Sequence, residues 1–159
     1  GRVEGIRFDS KVKSLKTTKR SVRFNRASGV IDSMKRGDWT QHQWAPHILD
    51  RFSQQQQLRL TLMSSEKPPQ TLSFTVVDGA KVSEKRWERA ADEVIQTPMG
   101  AIGTVKYHAV HSNPSKRASE IWLAPELEFL MVKTVHVERS STITVGLKGL
   151  SWLDETLSD

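Results

Sequence analysis

The chain of 159 residues has no cysteine. That one absence excludes thiol nucleophiles, disulfide staples and cysteine-ligated zinc. It fits an oxidising compartment, and it fits the cytosol too. Long apolar runs are missing as well. Stretches such as Phe129-Leu-Met-Val132 stop at four residues, whereas a membrane-spanning helix needs about 20. Acidic residues are scarce at the start: residues 1–40 hold 4 Asp/Glu against 11 Lys/Arg, a net of +7. The remaining 119 residues sum to −1, so the whole excess of the +6 chain lies in its first quarter. Such a segment points to phosphate, nucleic acid, anionic lipid or an acidic partner, or else to a solvated, solubilising face.

What is present describes a globular protein. Apolar residues make up 36% and charged residues 26%, which is neither a membrane bundle nor a disordered chain. A chain of this length hides roughly 70% of its unfolded surface on folding. The expectation is one domain over 1–159. Gly1-Arg-Val-Glu4 lacks the basic start and apolar stretch of a secretory leader.

The pattern is mostly strands. Ser21-Val-Arg-Phe24 alternates, with Val22 and Phe24 on one face and Arg23 on the other. Ala27-Ser-Gly29 reads as a turn. The segment ahead of the helix that carries Trp39, Trp44, His42 and His47 reads as a loop. A helix is expected over 48–63, with Pro46 just upstream and an apolar stripe of Leu49, Phe52, Leu60 and Met63, flanked by Leu58 and Leu62. Asp78-Gly79 between extended runs is a strong hairpin signal. Further strands are expected over 103–111, 118–123, 129–138 and 142–147. About eight strands and one helix, with turns at this spacing, imply a mainly β fold: a curved antiparallel sheet or incomplete barrel around a central helix.

Chemistry-bearing motifs are few. No Gly-x-Ser-x-Gly elbow, dinucleotide fingerprint or P-loop occurs. Gly100-Ala-Ile-Gly103 ahead of Lys106 reads as a hairpin turn rather than a phosphate loop. His108 and His111 would share a helix face, but in a strand they fall on opposite sides. His136 and Glu138 share a strand face, as cross-strand polar pairs do. Catalytic residues, a metal site and a cofactor are therefore not expected. Trp87 and Trp122 read as core. Trp39, Trp44, Phe52 and Trp122 are the candidates for lining a ligand cavity. Lys11, Lys13, Lys16, Lys19, Arg20 and Arg23 place six cations in thirteen residues with no intervening acid, a candidate surface for anionic lipid. The nucleic-acid alternative rests on Arg7-Phe8, Arg23-Phe24 and the lysines between them, without any RNA-recognition consensus.

One resemblance adds to this reading. The order Thr75-Val-Val-Asp78-Gly79-x-Lys81-Val82, Thr97-Pro98-x-Gly100, Thr104-Val105 and Ile121-Trp-Leu-Ala-Pro-Glu-Leu127 resembles the bacterial domain-of-unknown-function family numbered 3108, found in envelope proteins of Gram-negative bacteria. Leu49-Asp50, Leu58-Arg-Leu60 and the basic Phe-containing hairpin after Gly1-Arg-Val3 fit it too. The resemblance spans about residues 1–150 and implies a periplasmic protein. It also implies that a leader, removed on export, and further strands precede Gly1. The expected function is non-catalytic: binding a lipid or other hydrophobic or amphiphilic ligand, or an envelope protein partner. Alternatives are a hydrolase acting on an envelope polymer and a nucleic-acid binder. If the strands before Gly1 are absent, the first strand presents an open edge, and a homodimer or a partner's strand along residues 2–8 is then expected.

Overall fold

The computed structural model describes residues 7–12, 18–112, 114 and 117–151, with the side chains of 8–12 and 18 outside that description. Among the described residues the protein is mainly β, with one α-helix, and its sheets do not close into a barrel. The chain divides into two compact units, 1–88 and 89–159.

The first unit opens with an antiparallel meander: β1 (Arg7–Val12), β2 (Thr18–Asn25), β3 (Val30–Lys35) and β4 (Asp38–Gln43). β4 occupies the stretch expected to be a loop. Its cause is a tight turn at Arg36 and Gly37, whose φ angles of 59° and 101° have the handedness that matches strand twist in two-residue hairpins. Alternation sorts the meander into two faces. Val22 and Ile31 turn inward and join Ile48 and Val77 in one core cluster, with Phe24, Trp44 and Ala45 against it. Lys19, Arg23 and Trp39 fall on the outer face.

β5 (Ile48–Leu49) then pairs in parallel with β6 (Thr71–Asp78), and between them runs α1 (Arg51–Met63). The helix starts at Arg51 rather than at 48 because Asp50 caps it: the carboxylate accepts from the N–H groups of Phe52 (2.8 Å) and Ser53 (2.9 Å). The Ser53 side chain in turn meets the Asp50 N–H, a reciprocal capping box. The expected apolar stripe is also corrected. Gln54, Leu58 and Leu62 face inward, one above the other at i, i+4 spacing, while Phe52 is 58% and Met63 45% exposed. An apolar count around this helix sets Phe52, Leu60 and Met63 against Leu58 and Leu62, too small a difference to choose the buried row. Packing on β5 and β6 makes that choice.

β6 and β7 (Lys81–Arg89) form the hairpin expected from Asp78-Gly79. Gly79 has φ +61°, and a Cβ there would meet Lys35 Cβ at 2.9 Å, so no side chain fits at that turn. Its carbonyl lies 2.8 Å from His42 Nε2, which fastens the hairpin tip to the inner face of the meander.

The second unit is a run of antiparallel hairpins: β8 (Glu93–Thr97) on β9 (Gly100–Ala109), then β10 (Arg117–Ala124), β11 (Leu130–Glu138) and β12 (Ser141–Gly146). The Trp122-Leu-Ala-Pro-Glu-Leu127 segment ends β10, and a single 3-10 turn, Pro125–Leu127, follows it. Pairing shifts there, from Trp122 opposite Lys133 to Leu123 opposite Met131. The bulge leaves Val132 as the extra residue, and it packs with Trp122 and Ala124 as the core of this face. Twelve strands are thus described where the sequence pattern suggested about eight. The additional ones include β4, the two-residue β5 and β8.

Candidate functional site

Cation-over-indole pairs occur in both units, and their surroundings differ. In the second unit Trp122 is 3% exposed. Lys106 and Lys133, its neighbours across β9 and β11, set their ammonium groups 4.6 and 4.5 Å from the ring centre. The indole N–H donates to Glu93 at 2.9 Å. Lys106 also meets Glu93 (3.0 Å) and Glu120 (2.9 Å). The Trp122 and Lys106 hydrogen bonds hold the Glu93 carboxyl below its ordinary pKa. For Lys106, burial works against the charge, but its bonds to Glu120 and Glu93 prevail and raise its pKa. Charge is neutralised here within the fold, so the cluster is a stabilising one.

A pocket of about 350 Å³ in the same unit is lined by Asp92, Glu93, Val94, Thr104, Pro125 and Glu126, among others. Asp92 is held by Arg89 at 3.0 Å. A general acid needs a raised pKa, and Glu93 is shifted the opposite way.

The outer face of the meander is the site where charge stays available. Arg23 stacks 4.9 Å above the Trp39 ring, and Trp39 is 50% exposed. Among the described residues neither Arg23 nor Lys19 makes an ion pair. The backbone register brings more cations alongside: Arg7 lies opposite Arg23, and Lys11 opposite Lys19. Like charges directly opposite one another destabilise a sheet. Asp9 lies at a register position between the two pairs, and Asp32, opposite Arg23, accepts from Gln41 Nε2 at 2.9 Å. The face therefore keeps an excess of positive charge beside an exposed indole, a combination that suits an anion carrying an apolar body.

The residues expected to act together are distributed as follows. Of the six basic candidates, Lys19 and Arg23 take this face, and Lys11 reaches it by register. Lys13 and Lys16 lie outside the described residues. Arg20 does not belong: it shares the parity of Val22 and Phe24, points inward and pairs with Asp78 at 3.3 Å, where Arg51 also approaches at 3.9 Å. Of the four cavity candidates, Trp44 packs against the core of the first unit. Trp39 and Phe52 are exposed, and Trp122 is the buried centre of the lysine cluster. The leading edge expected along 2–8 falls mostly outside the described residues.

A polar cluster that sequence reading noticed only in part lies on the other face of β10 and β11. Ser119 Oγ is 2.7 Å from His136 Nδ1 and 3.2 Å from His111 Nε2. His136 Nε2 is 4.0 Å from Glu138, which Arg117 holds at 2.8 Å. That Arg117 hydrogen bond keeps the Glu138 carboxyl below its ordinary range. The sequence signal was the shared face of His136 and Glu138. Ser119 could be added only once cross-strand register was known. No family model, curated protein or solved structure matches the chain.

Proposed function

We propose that the chain is a non-catalytic envelope protein of the periplasm that binds an anionic amphiphile at the outer face of β1–β4. The carrying observation is Arg23 over the half-exposed Trp39, with Lys19 on the same face and neither cation committed to a carboxylate among the described residues. Cations beside an anionic bilayer contribute on the order of 1 kcal/mol each, and a half-exposed indole suits the boundary between headgroup and acyl chain. The periplasmic assignment draws on the resemblance to family 3108, whose Trp-Leu-Ala-Pro-Glu-Leu segment forms the bulged end of β10.

The test is co-sedimentation with phosphatidylglycerol vesicles and with phosphatidylcholine vesicles. Binding to the former is expected to weaken as salt rises, because the Debye length is only about 8 Å at physiological strength. Arg23→Glu and Lys19→Glu should abolish it, and Trp39→Ala should weaken it. Inorganic phosphate that competes fully at low concentration would assign the site to free phosphate instead of an amphiphile. Equal affinity for both vesicle types would overturn the reading.

The hydrolase alternative has one observation in its favour, the Ser119–His136–Glu138 arrangement. Its nucleophile would sit in the middle of a strand, not on the strained turn that exposes a serine in α/β-hydrolases, and Glu138 is tied to Arg117. Reaction of Ser119 with a fluorophosphonate probe, abolished by His136→Ala, would promote this reading. An unlabelled Ser119 leaves the cluster as a polar brace.

A further inference from the structure

We propose that β12 is a self-association edge, through which two copies of this chain join their sheets antiparallel about a two-fold axis at Thr144. This inference is independent of anion binding. β12 stands at the end of its sheet order and pairs only with β11 among the described residues. Natural edge strands protect themselves with charge, proline or brevity. β1 carries Arg7, Asp9 and Lys11, β4 begins with Asp38, β8 begins with Glu93, and β5 has two residues. β12, Ser-Thr-Ile-Thr-Val-Gly, has no charge and no proline, all six residues are exposed, and Ile143 and Val145 are each 56% exposed on one face.

The occupant follows from register and charge. Leu147 N–H donates to Val132 O. Backbone groups alternate direction along an antiparallel strand, so Ser141, Ile143 and Val145 address β11, while Thr142, Thr144 and Gly146 offer N–H and C=O on the open side. A two-fold axis at Thr144 makes that residue a hydrogen-bonded pair with its own copy and sets Thr142 opposite Gly146 on both sides of it. Ile143 then packs on Val145 of the copy, a favourable β-branched cross-strand pair. The flanking charges meet no like charge: Arg139 falls opposite Gly149, and Lys148 opposite Ser140. The unit that carries β12 holds seven Lys/Arg against nine Asp/Glu, whereas residues 1–88 hold seventeen against nine. Self-repulsion is therefore weak at this end of the chain. The contact is isologous, so it closes at two copies.

One short strand pair buries less than the roughly 1,200 Å² of a standard interface, so the dimer is a weak one, with a dissociation constant on the order of 10–100 μM. Sedimentation velocity from about 10 μM to 1 mM should show the weight-average mass rising from 18.0 kDa toward twice that value. Over the same range, exchange of the Thr142, Thr144 and Gly146 amides should slow. Thr144→Lys opposes two ammonium groups at the axis, and Thr144→Pro deletes the outward N–H without touching the β11 ladder. Both should stay monomeric with an unchanged circular dichroism spectrum, and Thr144→Val should still associate. A wild-type monomer at 1 mM overturns the proposal. So does a Thr144→Lys variant that dimerises like wild type, which would place the contact on another surface. Protection of the Thr142, Thr144 and Gly146 amides that is independent of concentration also overturns it, because the edge would then be covered within the chain.

Discussion

The two units use the same pair of groups, a cation and an indole, for opposite ends. Around Trp122 the ring is buried, two lysines cover it, and Glu93 and Glu120 neutralise the Lys106 charge within the sheet. Around Trp39 the ring is half exposed, one arginine covers it, and among the described residues no carboxylate pairs with that arginine. A cation–π pair is worth about 0.5–1 kcal/mol when exposed and about 2 or more when desolvated. The geometry of the pair thus says little about its role. The presence or absence of a neutralising carboxylate, together with burial, says more. The units differ in the same sense in bulk charge, +8 for 1–88 and −2 for 89–159.

Mutation should separate the two indoles most clearly. Trp122→Ala leaves a large void beside Ala124 and Val132 and removes the Glu93 donor, so a loss of about 3–5 kcal/mol is expected in urea denaturation. Trp39→Ala should cost under about 1 kcal/mol in the same assay and should show itself in vesicle binding. Comparable losses for both would erase the contrast. Next in size is Gly79→Ala, which meets both a left-handed backbone and Lys35 Cβ. About 1–3 kcal/mol is expected, more than for Gly37→Ala, whose Cβ would enter open space. Asp50→Ala removes the cap from α1 and should cost about 1 kcal/mol by the same measurement.

The smallest effect is a pH dependence that belongs to the second unit. Glu93 and Glu138 have lowered pKa values in the folded state. Their contribution is therefore fully present above the ordinary value of 4.5 and is lost as pH falls through the lower folded values. Thermal melts between pH 6 and about pH 3 should show the decline, and Glu93→Gln should flatten it. A slope unchanged in Glu93→Gln would mean that Trp122 does not depend on that carboxylate.

Much of the β architecture was legible because local chemistry and tertiary structure agreed. Asp78-Gly79 turns where turn-forming residues stand, and period-two alternation marked β2. The loop expected around Trp39 went wrong because Arg36 carries no turn signal of its own. Only its left-handed φ beside Gly37 reveals a hairpin there. The helix stripe went wrong because four glutamines leave two apolar rows of similar strength. Arg20 was misplaced by counting cations in a run without assigning them to faces.

By itself the sequence determined the absence of thiol chemistry, the basic first quarter, the strand-rich pattern and the turns, since composition and short-range sterics suffice for each. Only the tertiary structure decided which cations stay available and which edge lacks protection. Lys106 and Arg23 look equivalent in one dimension. Glu93, thirteen residues before Lys106, neutralises it, and among the described residues nothing comparable reaches Arg23. Such pairings are set by strand register, which brings together residues that are distant in the chain.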